Sequence, residues 1–90
     1  MFFKKTYELS FRKIRRNIRG DHFEVISDVA ILECLKMLQK FFRFDIISTS
    51  FSNSFLKKSK IKIKCKPADK MEIVRLFCKG LYNFIEEVEC

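Results

Sequence analysis

From Lys60 to Lys66 the chain alternates without a break, with lysine at 60, 62, 64 and 66 and Ile61, Ile63 and Cys65 between them. Alternation of period two with β-branched apolar residues marks a strand that buries one face and wets the other. Residues two apart on a strand lie about 6.6 Å apart, so the four ammonium groups form a row about 20 Å long. Thr6 to Arg12 alternates in the same way, with Tyr7, Leu9 and Phe11 on one side, and reads as a first strand. Arg12-Lys13-Ile14-Arg15-Arg16-Asn17-Ile18-Arg19 leads into Gly20-Asp21, a turn signal. His22 to Ser27 is short and β-branched and predicts a second strand pairing back on the first; the competing reading is a helix starting at Asp21.

The period then changes. After Ser27 or Asp28, either of which can cap a helix, Ile31, Cys34, Leu35, Leu38, Phe41 and Phe42 recur at spacings of three and four. Phe44 to Phe51 predicts another strand, Ser52-Asn53-Ser54 breaks it, and Phe55-Leu56 falls at a loop tip before the lysines. Pro67 suits the first turn of a helix, and Asp69-Lys70-Met71-Glu72 has the spacing of a capping box. Val74, Phe77, Cys78, Leu81, Phe84, Ile85 and Val88 form a second stripe, and Gly80 within it predicts a close helix contact or a bend. Glu86, Glu87 and Glu89 come at the C-terminal end, where the helix dipole disfavours them, so they should be solvated or answered by basic side chains from elsewhere.

The order predicts an α+β fold: a single antiparallel sheet of three or four strands with two helices packed on one face, ββαββα or βαββα. Two amphipathic stripes need the same apolar surface, which leaves the other sheet face to the lysines and to Thr6, Glu8, Ser10 and Arg12. The element order resembles that of ferredoxin-like folds at the level of architecture, which implies nothing about function.

Ninety residues are enough for one domain, 1–90, with a modest core, and 48% apolar residues with eleven phenylalanines exclude a disordered chain. No run approaches the about 20 apolar residues of a membrane span, and Met1-Phe2-Phe3-Lys4-Lys5 is too short for a signal peptide, so the chain is expected in the cytoplasm. Cys34, Cys65, Cys78 and Cys90 form no closely spaced pair and His22 is the only histidine, so no metal is expected; the first three read as core thiols. No cofactor is implied.

The net charge of +8 is uneven. Residues 1–20 carry seven basic and one acidic side chain, and so do residues 51–70; residues 21–50 and 71–90 are each net −2. A partner of opposite sign would be drawn to one face.

Catalysis finds little support. Asp21 and His22 are adjacent and would point to opposite sides of an extended chain, and Glu86 and Glu89 lack further ligands for a cation. The two glycines, 20 and 80, make no phosphate loop. The reading is a non-enzymatic binding protein. Arg12, Lys13, Arg15, Arg16 and Arg19 put five cations in eight positions. Lys60, Lys62, Lys64 and Lys66 add a regular row with Lys57 and Lys58 ahead of it, and Phe55 beside them could stack on an unpaired base. Against this stand a lysine strand that merely protects a sheet edge and arginines that merely solvate a turn. Both patches idle in one small domain is the less economical account. The strand faces lack the aromatic pair of an RRM-type platform, and a membrane-surface role would need a basic helix where these helices are acidic.

The expected partner is nucleic acid, RNA or DNA, or a complex that contains it; a homodimer stays open. In size and style the chain is also similar to small viral or mobile-element proteins that block a host nuclease by protein contact, anti-CRISPR proteins among them. That resemblance implies an inhibitor acting in the host-cell cytoplasm.

Overall fold

Residues 3–90 are described by a computed structural model of the chain. The elements are β1 (Lys5–Arg12), β2 (Arg16–Arg19), β3 (His22–Glu24), α1 (Asp28–Leu38), β4 (Phe44–Ser50), β5 (Lys58–Cys65) and α2 (Pro67–Gly80). The fold is α+β, with a three-stranded antiparallel sheet in the order β1-β5-β4 and a separate two-stranded ribbon, β2-β3. The second strand is therefore shorter than expected and does not return onto the first. It pairs with the arginine segment, which is a strand and not a solvated turn. The cause is local. Gly20, at φ +58°, opens a two-residue loop between the paired residues Arg19 and His22, and closing so short a loop costs little entropy.

Alternation in β5 sorts its side chains as the sequence predicts: Ser59, Ile61, Ile63 and Cys65 are buried, while Lys60, Lys62 and Lys64 are exposed. Leu9 and Phe11 of β1 and Phe44 of β4 share one core with Ile31, Leu35 and Leu38 of α1 and Ile73 and Phe77 of α2. Each such side chain taken from water contributes about 1.5–3 kcal/mol before entropy is set against it. Phe11 meets Phe77 edge to face, with centroids 5.6 Å apart.

The helix ends separate local from tertiary control. α1 is capped by Ser27, whose Oγ accepts from the Ala30 amide at 3.2 Å. It stops at Leu38, so Phe41, expected on the core stripe, lies exposed. α2 starts at Pro67, ahead of the expected capping box. Proline presets the helical φ and has no amide to satisfy, so Lys66 takes the cap position and Asp69 sits inside the first turn. Glu72 pairs with Arg75 one turn on, which holds its carboxyl below the usual range. At Gly80 the helix ends against α1, where an added Cβ would lie 3.1 Å from Cys34 Sγ.

Beyond Gly80 the second stripe leaves the helix. Residues 81–90 turn back along the outer edge of β1. Ser10 and Glu89 exchange backbone hydrogen bonds of 2.8 Å, the Glu86 amide donates to the Arg12 carbonyl at 2.9 Å, and the Ile14 amide donates to the Phe84 carbonyl at 2.9 Å. Leu81 and Ile85 still reach the core. An open strand edge offers backbone partners that a helix continuation would leave unsatisfied, and the run of glutamates escapes the negative helix end. Two of those glutamates are answered by basic side chains: Glu86 by Arg12 at 3.9 Å and Glu89 by Lys58 at 3.0 Å.

Of the three cysteines expected in the core, only Cys65 is fully buried; Cys34 and Cys78 are half-buried and Cys90 is exposed. Burial pushes the Cys34 and Cys65 thiols up. A thiol reagent followed by mass spectrometry is expected to label Cys90 first, Cys34 and Cys78 more slowly, and Cys65 only on unfolding. Labelling of Cys65 at the rate of Cys90 would contradict the core placement.

Candidate nucleic-acid interface

The lysine row sits on the central strand of the sheet. β5 pairs with β1 on one side and β4 on the other, so Lys64 lies between Thr6 and Asp45, Lys62 between Glu8 and Ser48, and Lys60 between Ser10 and Ser50. A register shift at Ile47 brings Ser48 and Ser50 opposite Lys62 and Lys60. Asp45 is drawn off by Lys4, at 3.5 Å. Among the described residues Lys60, Lys62 and Lys64 form no ion pair. Three lysine positions, about 6.6 Å apart along the strand, thus stand on a face flanked by four hydroxyl residues and by Glu8 and Asp45, held in register by the buried residues between them. Protection of a sheet edge does not explain lysines on a strand paired along both sides.

At the end of the sheet Arg12 lies opposite Lys58. Their ion pairs with Glu86 and Glu89 are exposed, and such pairs contribute little in water, so a phosphate can compete for either cation. Arg12 Nε also donates to the Leu56 carbonyl at 3.3 Å, fastening the loop that carries Phe55, Leu56 and Lys57. That loop is stitched by its serines: the Ser52 amide donates to Ser59 Oγ at 3.0 Å, Ser54 to Ser52 Oγ at 3.2 Å and Leu56 to Ser54 Oγ at 3.0 Å.

The ribbon meets this loop through Arg15. Its guanidinium carbon lies 4.3 Å from the centre of the Phe23 ring and 4.7 Å from that of Phe55. Arg16 rests on Phe84 at 4.5 Å, and every paired residue of the ribbon is exposed, Arg19 included.

No protein-family model, curated protein or solved structure matches this chain significantly.

One expected site residue is withdrawn. Lys13 is fully buried, with Nζ 2.5 Å from Asp28 Oδ1, 3.5 Å from Asn53 Oδ1 and 5.7 Å from the centre of the Phe51 ring. It ties the end of β1 to the start of α1 and to the serine loop, and reaches no surface. Lys66 serves as the α2 cap position and lies past the end of the row. The others separate into Lys60, Lys62 and Lys64 on the sheet, Arg12, Lys57, Lys58 and Phe55 at its end, and Arg15, Arg16 and Arg19 on the ribbon.

Sequence reasoning passed over Phe23 as a site residue. A two-residue loop at Gly20-Asp21 would by itself put Phe23 opposite Ile18; an irregularity between Asn17 and Arg19 moves it opposite Asn17 and diagonal to Arg15, a shift that no residue pattern announced. Sequence reasoning also missed a cavity of about 930 Å³ between α1 and α2, whose lining includes Cys34, Met37, Phe41 and Leu76. Its rim exposes Met37 and Phe41, which the helical stripe had placed inside or left unremarked. Among the described residues no three His, Cys, Asp or Glu side chains converge as metal ligands, and no helix is long and apolar enough to cross a membrane.

Proposed function

We propose that the chain is a small basic, non-catalytic binding protein of the cytoplasm that docks on nucleic acid, or on the nucleic-acid part of a complex, through its Lys and Arg face. One observation carries the reading: Lys60, Lys62 and Lys64 stand exposed on a central strand, evenly spaced, with no carboxylate paired to them among the described residues. Like charges held in a row repel one another, and a run of phosphates relieves that repulsion while releasing counterions. Arg12 and Lys58 extend the row to the loop, and Arg15, Arg16 and Arg19 add guanidinium forks that suit phosphate.

The test is binding of labelled RNA and DNA oligonucleotides across about 50 to 200 mM salt. With four to six phosphate contacts, log K should fall against log salt with a slope of about −3 to −5. Absence of binding to any oligonucleotide at low salt would overturn the reading. If the chain then co-purified with one nuclease, the second reading would take its place: an inhibitor of anti-CRISPR type acting by protein contact. The exposed Met37 and Phe41 at the apolar cavity favour that reading over a purely solvated helical side.

A further inference from the structure

We propose that the gap between the Phe23 and Phe55 rings is a slot for one unpaired base, filled in the resting protein by the Arg15 guanidinium, so that the nucleic acid taken is single-stranded. The inference rests on the docking reading and narrows its ligand.

Arg15 presents a flat, delocalised group to two rings, at 4.3 Å and 4.7 Å from their centres. A nucleobase offers the same kind of face, and both groups stack on aromatic side chains. A guanidinium that merely latched ribbon to loop would be expected to draw both rings under cover. Instead Phe23 keeps 45% and Phe55 38% of its surface exposed.

Each wall of the slot also has a backbone anchor of its own besides Arg15. Phe23 is held by its pairing with Asn17 in the ribbon. Phe55 is held by the serine-stitched loop and by the Arg12 hydrogen bond to the Leu56 carbonyl. Arg15 itself is exposed and has no carboxylate partner among the described residues, so its departure strands no opposite charge. Swung aside, it carries a guanidinium to the phosphate of the nucleotide whose base has entered. The lysine face cannot do this work, since Thr6, Glu8, Ser10, Asp45, Ser48 and Ser50 flank the lysines and none is aromatic. A base inside a duplex is stacked on both faces and would first have to be flipped out at a cost of a few kcal/mol, which is the source of selectivity for a single strand.

The experiment compares a labelled oligo-dT strand, a strand of equal length and charge with abasic sugars, and a duplex containing the same strand. Each is titrated with the parent protein and with the Phe23→Leu/Phe55→Leu variant, whose folding is checked by thermal melting. The parent should bind oligo-dT about tenfold more tightly than the abasic strand and more tightly than the duplex. The double variant should lose that preference while keeping the salt slope. Equal binding of oligo-dT and abasic strand by the parent, with a steep salt slope, overturns the slot and leaves the docking reading standing; this comparison needs no variant. A folded variant that keeps the preference also overturns it. No binding to any strand removes the docking reading and the slot together.

Discussion

Asp28→Ala is expected to lower the free energy of unfolding by about 3–5 kcal/mol, while Lys13→Met lowers it by less than half as much. The asymmetry follows from where the two charges sit. The Lys13 side chain is fully buried, whereas Asp28 keeps 40% of its side chain exposed. Removing the carboxylate leaves an ammonium group inside the protein with only the Asn53 oxygen at 3.5 Å and the face of Phe51 for company. Removing the lysine leaves a carboxylate that water can reach, in the first turn of α1, where the helix dipole favours it. Methionine fills much of the vacated volume. Urea unfolding of both variants and of the double variant decides the matter. The double variant should be no less stable than Asp28→Ala alone, because the buried charge has gone with its partner. Equal losses for the two single variants would mean that the pair acts as a surface salt bridge.

Replacing Lys60, Lys62 and Lys64 together by glutamine is expected to weaken oligonucleotide binding by about 10- to 100-fold at low salt and to reduce the salt slope by about 2 to 3. Folding should hardly change, since exposed charges contribute little to stability and the buried Ile61, Ile63 and Cys65 are untouched. The companion variant, Arg15, Arg16 and Arg19 to glutamine, loses bidentate forks and should weaken binding further. It also removes the contacts of Arg15 with Phe23 and Phe55 and of Arg16 with Phe84, so part of its loss would come from a ribbon less well held. The lysine variant is therefore the cleaner probe of phosphate contact. Anisotropy titrations at several salt concentrations measure both quantities. Parent-like binding by both triple variants would reduce the basic face to a solubility device.

The sheet face is legible in the sequence alone. Strict alternation from Lys60 to Cys65 requires one wet and one buried side wherever the strand is placed, because side chains on a strand point alternately. The helix start, with Ser27 one of its two candidate caps, and the buried Ile31, Leu35 and Leu38 were legible for a similar reason: capping and helical periodicity act over four residues. Tertiary structure decided the rest. That β5 is central, and so not a protected edge, depends on β1, dozens of residues away in the chain, pairing along the side that its neighbour β4 leaves open. Lys13 stands among basic residues that reach solvent, and nothing in its neighbours marks it for burial; Asp28 at the start of α1, and Phe51 and Asn53 in the loop after β4, do. Local periodicity would have run α2 on through Val88. The unsatisfied edge of β1 drew residues 85–89 away, since backbone groups there could pair with a strand and a longer helix could not supply them.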